Sequence, residues 1–210
     1  MKGVIYSVIP ATLIAVVLIL GMQLAASGQD KELPAGEAAF ILSSSEVTSG
    51  GQLPKEFTGD GASATLPLEW IGAPEATKSF ALIMHHIPGP GDVKWYWILY
   101  DIPADAKCLP KNVKGVGTLG NNSINGRTEY APPHSKGPGP KTYIYTLYAL
   151  SAPPTITVPP KEVSREVLLD AMKGRILGSA ELKVVYTRFP GPEETRDREG
   201  PPPPPPPRKE

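Results

Sequence analysis

The residues best suited to chemistry in this 210-residue chain are its three histidines. His85 and His86 are adjacent at the end of an apolar run, and His134 lies in a proline-rich segment. Adjacent residues of a strand point to opposite faces, so we do not expect His85 and His86 to share one ligand. One of them can form a metal site with His134 and a carboxylate such as Asp92. The alternative is that all three are ordinary hydrogen-bonded histidines.

A second candidate is the segment from Lys136 to Lys141, whose interior reads Gly-Pro-Gly-Pro. Exposed backbone N–H groups beside a lysine can hold an anion. Proline has no N–H, so these donors must come from the glycines and the flanking residues. A stiff, solvated loop explains the same residues, and the sequence leaves both interpretations open.

An aromatic cluster formed by Trp95, Tyr96, Trp97 and Tyr100 is the third candidate. Such a run either lines a ligand pocket or fills a core, with a phenol reaching a cavity. We expect Trp95 and Trp97 to belong to the core.

Composition and missing motifs exclude several classes of protein. Lys and Arg together number 21, as do Asp and Glu, so the formal net charge is +0 and a general nucleic-acid binder is disfavoured. Cys108 is the single cysteine, which excludes an intrachain disulfide and a cysteine-rich zinc site. The sequence contains no G-x-S-x-G elbow, P-loop or dinucleotide-binding glycine motif, which weakens hydrolase, nucleotidase and dehydrogenase interpretations.

The elements that must position these residues are mostly strands, because apolar, aromatic and β-branched residues recur in short runs between turn-rich segments. A single helix is predicted over residues 164–175, with Ser164 as its N-cap. The predicted fold is therefore mainly β, a sandwich or closed sheet with one or few short helices. The strands are predicted at residues 79–86, 93–102, 142–150 and 176–189, the last bent at Gly178.

Both ends of the chain differ from the middle. Residues 1–29 combine one lysine with an apolar stretch over residues 4–26, which is typical of a signal peptide or an N-terminal membrane anchor. Residues 190–210 are rich in proline and charge and cannot bury a core, so we expect a disordered tail. A single domain over residues 30–189 remains, and we expect it to be exported to the periplasm or the extracellular space.

Several segments in order resemble the phosphatidylethanolamine-binding protein family, specifically its bacterial Raf-kinase-inhibitor-like branch. No single segment is very specific, but the ordered set is, and it covers residues 40–188. The matching segments are Asp60-Gly61, residues 66–70 (LPLEW), 77–82 (TKSFAL), 97–103 (WILYDIP), 120–122 (GNN), Tyr130 with Pro132-Pro133, 143–150 (YIYTLYAL) and 171–177 (AMKGRIL).

This resemblance implies a two-sheet antiparallel β-fold with a small anion pocket at one end, which in the family receives phosphate-type headgroups. The family builds that pocket from a D-P-D-x-P turn, a histidine before the strand tryptophan and an H-R-Y segment. This sequence has His86 to Pro90, Tyr96 and Lys141 to Tyr143 at those places. The pocket thus loses two carboxylates and gains a lysine, which favours phosphate, sulfate or carboxylate.

The resulting expectation is a non-catalytic domain, without a cofactor or bound metal, that binds a small anion or phospholipid headgroup. Its ligand-binding residues are His86, Tyr96, Lys141 and Tyr143, with His85 and His134 at the rim. One alternative is a protein-interaction or protease-inhibitor module, since family members include inhibitors. Another is a histidine-based metal-dependent enzyme. We expect no nucleic-acid partner, and any membrane contact would come from the N-terminal segment.

Overall fold

A computed structural model describes residues 39–134 and 139–188. The predicted signal or anchor segment, the proline-rich tail and the first half of the Gly-Pro segment lie outside the described residues. Within them, no helix has the length and apolar character needed to cross a membrane. The strands are β1 (Ile41–Ser43), β2 (Leu68–Ile71), β3 (Ser79–Gly89), β4 (Asp92–Pro103), β5 (Cys108–Leu109), β6 (Thr118–Leu119), β7 (Pro140–Leu150) and β8 (Ile176–Thr187).

The strands form two antiparallel sheets, as the sequence predicts. The larger sheet has the order β6-β4-β3-β7-β8, and the smaller has the order β1-β2-β5. Strand β3 lies at the centre of the larger sheet, and its residues 79–86 are all buried. A strand covered on both faces needs apolar residues at odd and even positions, which explains the unbroken apolar run.

The inner face of the larger sheet packs against the smaller sheet. Phe80, Leu82 and Met84 of β3 belong to this core, as do Trp70 of β2 and Trp97 of β4. The rings of Trp70 and Phe80 contact each other edge to face, with centroids 5.2 Å apart. The expectation of a core position is confirmed for Trp97, whereas Trp95, also expected in the core, is only partly buried and packs on the outer face of the larger sheet.

The outer face of the larger sheet is covered by helix α1 (Arg165–Ala171). The predicted N-cap is confirmed, because the Ser164 side chain accepts a hydrogen bond from the Val167 N–H. Leu168 and Met172 pack with Ala81 and Ile83 of β3 in a second core. The helix ends earlier than predicted.

The last strand also follows the prediction. Strand β8 pairs with β7 along its whole length, and a register shift occurs between Ala149 and Leu150 of β7. Gly178 lies opposite Ala149, at this irregularity. A glycine in a strand often marks such a bend, because it has no side chain to pack. Short 3-10 helices at Lys55–Phe57 and Pro160–Glu162 complete the described elements.

Candidate functional site

The candidate site lies where β3 and β7 separate at the end of the larger sheet. Their backbone pairing ends at His85 and Ile144. One residue further on, His86 Nδ1 lies 2.8 Å from the carbonyl oxygen of Thr142. A carbonyl oxygen can only accept, so Nδ1 carries the proton and donates it. The second ring nitrogen, Nε2, is therefore an acceptor on neutral His86 and a donor on the protonated ring.

A groove of about 430 Å³ opens at this separation of the strands. Its two basic side chains are His86 and Lys141, which come from the two separating strands. The remaining lining is apolar or hydroxyl-bearing, and no described lining residue is acidic. The full lining consists of His86, Ile87, Pro88, Pro140, Lys141, Thr142 and Ile144.

Two buried tyrosines adjoin His86 on the inner side of the sheet. The Tyr143 ring lies 5.3 Å from the His86 ring, and Tyr96 packs against Tyr143 edge to face at 5.1 Å. Burial raises the pKa of Tyr96 and raises that of Tyr143 further, with the neighbouring phenols adding to the effect at Tyr143. Both side chains therefore remain protonated phenols at neutral pH.

The Tyr143 hydroxyl is a buried polar group without a hydrogen-bond partner among the described residues. The Tyr96 hydroxyl is its hydrogen-bonding neighbour, which adds to the effect of burial on the pKa of Tyr143 and opposes that effect at Tyr96, although the two phenols do not reach ordinary hydrogen-bond geometry. Buried hydroxyls are usually satisfied by protein or water, because leaving one unpaired is costly. The Tyr143 hydroxyl lies beside His86 in the inner core, and Tyr143 is not among the described residues that line the groove.

The predicted binding residues thus divide into two groups. His86, Tyr96 and Tyr143 are in ring contact, and Lys141 shares the groove with His86. His85 and His134 are not among the described residues that line the groove, and their place at its rim stays a prediction. Adjacent strand residues face opposite ways, which places His85 on the other face of the sheet.

His85 is buried on the outer face, with its Nδ1 unpaired among the described residues. Its strand neighbours are Trp95 on β4 and Ile144 on β7. Burial lowers the pKa of His85, and the positive charge of Arg165 lowers it further, while Glu181 acts in the opposite direction. This histidine is therefore held neutral on the outer face of the sheet, beside Ile144, which lines the groove.

His134 contacts a carboxylate that sequence reasoning did not select as a site residue. Its Nε2 lies 3.0 Å from Asp60, which also accepts hydrogen bonds from Tyr186 and from Arg188 Nε. Partial burial alone would raise the pKa of Asp60, but these hydrogen bonds and the nearby charges lower it overall. Tyr186 lies opposite Lys141 in the β7–β8 ladder, so the Asp60 cluster adjoins the groove.

The metal-site alternative finds no ligand set in the part of the chain that the structure describes. No group of three or more His, Cys, Asp or Glu residues is placed there to hold a metal ion. Asp92, the carboxylate suggested for such a site, instead forms a salt bridge of 3.0 Å with Lys94.

The described residues form two antiparallel sheets with a polar groove at the end of the larger one. Comparison with known proteins shows which family has this β-fold. The model of the family described as phosphatidylethanolamine-binding protein matches residues 43–187. A UPF0098 protein of Methanothermobacter thermautotrophicus is 34% identical over 142 residues, covering 66% of this chain and 92% of the relative. The UPF0098 protein YbcL of Escherichia coli is 31% identical over 166 residues, covering 71% of this chain and 88% of YbcL.

Solved structures agree with this result. The crystal structure of CT736 from Chlamydia trachomatis, described as a homolog of phosphatidylethanolamine-binding protein, has a TM-score of 0.65 at 26% identity and covers 72% of this chain and 99% of its own. The structure of YbcL has a TM-score of 0.63 at 26% identity and covers 72% of this chain and 100% of its own. The chain belongs to the phosphatidylethanolamine-binding protein family.

Proposed function

We propose that this domain binds a small oxyanion in the groove between β3 and β7, without catalysing a reaction. The ligand is a phosphate-type group, either free or carried as a headgroup. The observation that carries the proposal is the hydrogen bond from His86 Nδ1 to Thr142, which orients the ring within a groove that it shares with Lys141.

The chemistry of the groove suits an oxyanion. Lys141 supplies positive charge, and charge-assisted hydrogen bonds to phosphate oxygens are stronger than neutral ones. His86 Nε2 donates to the ligand when the ring is protonated, or accepts from a protonated phosphate oxygen. The Tyr143 hydroxyl is a neutral donor beside His86, and it would turn to the ligand from its neighbour Tyr96.

The lining also supports binding rather than catalysis. Thr142 is the single hydroxyl-bearing side chain among the described lining residues, and none of them is a carboxylate or a cysteine. Acid–base catalysis needs a positioned proton donor and acceptor with matched pKa values. His86 has one ring nitrogen committed to the backbone, which leaves it a single nitrogen for such a role.

We further propose that the domain works outside the cytoplasm. The support is the apolar stretch over residues 4–26, which follows a single lysine and precedes the folded domain. Expression of the full chain followed by fractionation and N-terminal sequencing tests this proposal. Recovery of the intact chain in the cytoplasmic fraction would contradict it.

The binding proposal is tested by isothermal titration of the full chain with inorganic phosphate. Lys141→Ala should weaken phosphate binding about tenfold, because it removes the fixed positive charge of the groove. Lys183→Ala is the matched control, since Lys183 is an exposed lysine of β8 that pairs with Glu181 rather than lining the groove. Absence of phosphate binding, or equal effects of the two variants, would overturn the proposal.

A further inference from the structure

We propose that the groove selects phosphate esters whose organic group is uncharged and rejects those that carry an ammonium group. This inference rests on the proposed function, because it concerns the ligand of the same site. It separates an alkyl phosphate from the zwitterionic ethanolamine phosphate headgroup, which has the same phosphate but an added positive charge.

The first observation is the charge of the groove itself. Its lining contains two basic side chains, His86 and Lys141, and none of the described lining residues is acidic. An ammonium group attached to a bound phosphate would lie within a few ångströms of the Lys141 ammonium group, the fixed charge of the described lining. Like charges at such distances repel, and the repulsion is larger in a partly desolvated groove than in water.

The second observation concerns the nearest carboxylate on the β3–β4 hairpin. Lys94 lies opposite His86 in the β3–β4 ladder. Its ammonium group forms a salt bridge of 3.0 Å with Asp92, the first residue of β4. The carboxylate on this side of the groove is therefore already paired with a lysine, and the pair adds no net negative charge.

The third observation concerns the other side of the groove. Tyr186 lies opposite Lys141 in the β7–β8 ladder, and its hydroxyl donates to Asp60. Asp60 also accepts from Arg188 Nε at 3.1 Å and contacts His134 at 3.0 Å. This carboxylate is saturated by donors of its own chain, so a ligand ammonium would have to displace one of them.

The remaining lining favours an uncharged organic group. Ile87 is 51% exposed at the groove, and Pro88, Pro140 and Ile144 provide further apolar surface. Burying an alkyl chain against such surface is favourable in proportion to the area removed from water. Burying an ammonium group without a counter-charge is unfavourable. Both effects act in the same direction on ligand choice.

The test compares two ligands of nearly equal size on the full chain by isothermal titration. Phosphoethanolamine and n-propyl phosphate differ only in the terminal group of the chain, which is an ammonium in the first and a methyl in the second. We expect n-propyl phosphate to bind about tenfold more tightly. Inorganic phosphate is the third ligand. If it binds as tightly as n-propyl phosphate, the alkyl group contributes nothing and the proposed selection of phosphate esters is wrong.

A matched pair of variants tests the cause. Ile87→Asp adds a carboxylate at the groove and should reduce the preference for n-propyl phosphate to about threefold or less. Ile71→Asp makes the same change at an isoleucine of the smaller sheet that is 68% exposed and does not line the groove. This control should leave the tenfold preference unchanged.

The outcomes separate the two proposals. If phosphoethanolamine binds as tightly as n-propyl phosphate or more tightly, the selection proposed here is wrong, while binding of oxyanions stands. If none of the three ligands binds, the proposed function fails and the selection fails with it. If Ile87→Asp and Ile71→Asp change the preference equally, the charge of the groove is not its cause.

Discussion

Tyr143 and Tyr145 lie two residues apart on the inner face of β7, and their hydroxyls share an unusual condition. Both side chains are fully buried, and each hydroxyl has another phenol beside it, Tyr96 for Tyr143 and Tyr130 for Tyr145, but no hydrogen bond of ordinary geometry among the described residues. Burial raises the pKa of each phenol well above its ordinary value, so both stay protonated. Only Tyr143 is in contact with His86, at the groove end of the strand.

Tyr143→Phe and Tyr145→Phe are both predicted to stabilise the domain, while Tyr143→Phe alone should affect phosphate binding. Removing an unpaired buried hydroxyl relieves its desolvation penalty, so each variant should raise the free energy of unfolding by about 1 kcal/mol. Tyr143→Phe alone should weaken phosphate binding, by about fivefold, because it removes a donor beside the ligand. Urea unfolding and phosphate titration of both variants measure these effects. An equal loss of affinity in the two variants would show that Tyr143 does not contact the ligand.

His86→Phe is predicted to separate the two roles of the histidine ring. The phenyl ring keeps the packing against Tyr143 but cannot donate to the Thr142 carbonyl, which lies 2.8 Å from Nδ1. Loss of this hydrogen bond should lower the free energy of unfolding by about 1 kcal/mol. Loss of Nε2 should weaken phosphate binding about tenfold. Unaltered phosphate affinity in a folded variant would remove His86 from the site.

The long strands could be predicted from the sequence because a strand that is buried on both faces is apolar at most consecutive positions, as in residues 79–86. Strands β1, β2, β5 and β6 were not predicted. Each has two to four residues, too few to show a clear alternation. The contact of His86 with the Thr142 carbonyl depends on where two strands 56 residues apart stop pairing, which no local pattern encodes.

The Asp60 cluster was missed for the same reason. Asp60 and Tyr186 are separated by 126 residues, and Asp60 is noticeable in the sequence only as part of a family motif. A carboxylate and a phenol at opposite ends of a domain give no sign of contact until the sheet is assembled.

Asp60→Asn is predicted to destabilise the domain by about 2–3 kcal/mol, because the carboxylate accepts charged or strong hydrogen bonds from three residues. The pKa of Asp60 is lowered in the folded state, so its contribution is present above the ordinary value of 3.8. That contribution should disappear as the pH falls through the folded-state value. Urea unfolding across pH 3–7 measures both effects.

The control for this variant is Asp170→Asn. Asp170 forms an exposed ion pair with Lys173 on the surface of the domain. Exposed pairs contribute little, so this variant should change the free energy of unfolding by less than about 0.5 kcal/mol. If the two variants are equally stable, the Asp60 cluster does not hold the end of β8 in place.

His85 is predicted to make the folded domain sensitive to mild acid. Its pKa is lowered in the folded state by burial and by the charge of Arg165 on α1, while Glu181 on β8 partly opposes them and His86 acts with Arg165. The folded state therefore binds fewer protons than the unfolded state as the pH falls below the ordinary value of 6.5. The free energy of unfolding should decrease over this range, by at most about 1.4 kcal/mol per pH unit for one proton.

Two variants assign this pH dependence to His85. His85→Phe removes the titrating group while keeping a ring on the outer face, and should flatten the loss of stability between pH 7.5 and 5.5. Arg165→Gln removes a charge that lowers the pKa of His85, and should make the same loss smaller. Urea unfolding of the wild type and both variants at the two pH values measures the change. If the decrease in His85→Phe equals that of the wild type, another group binds the proton, because the variant has no imidazole at this position.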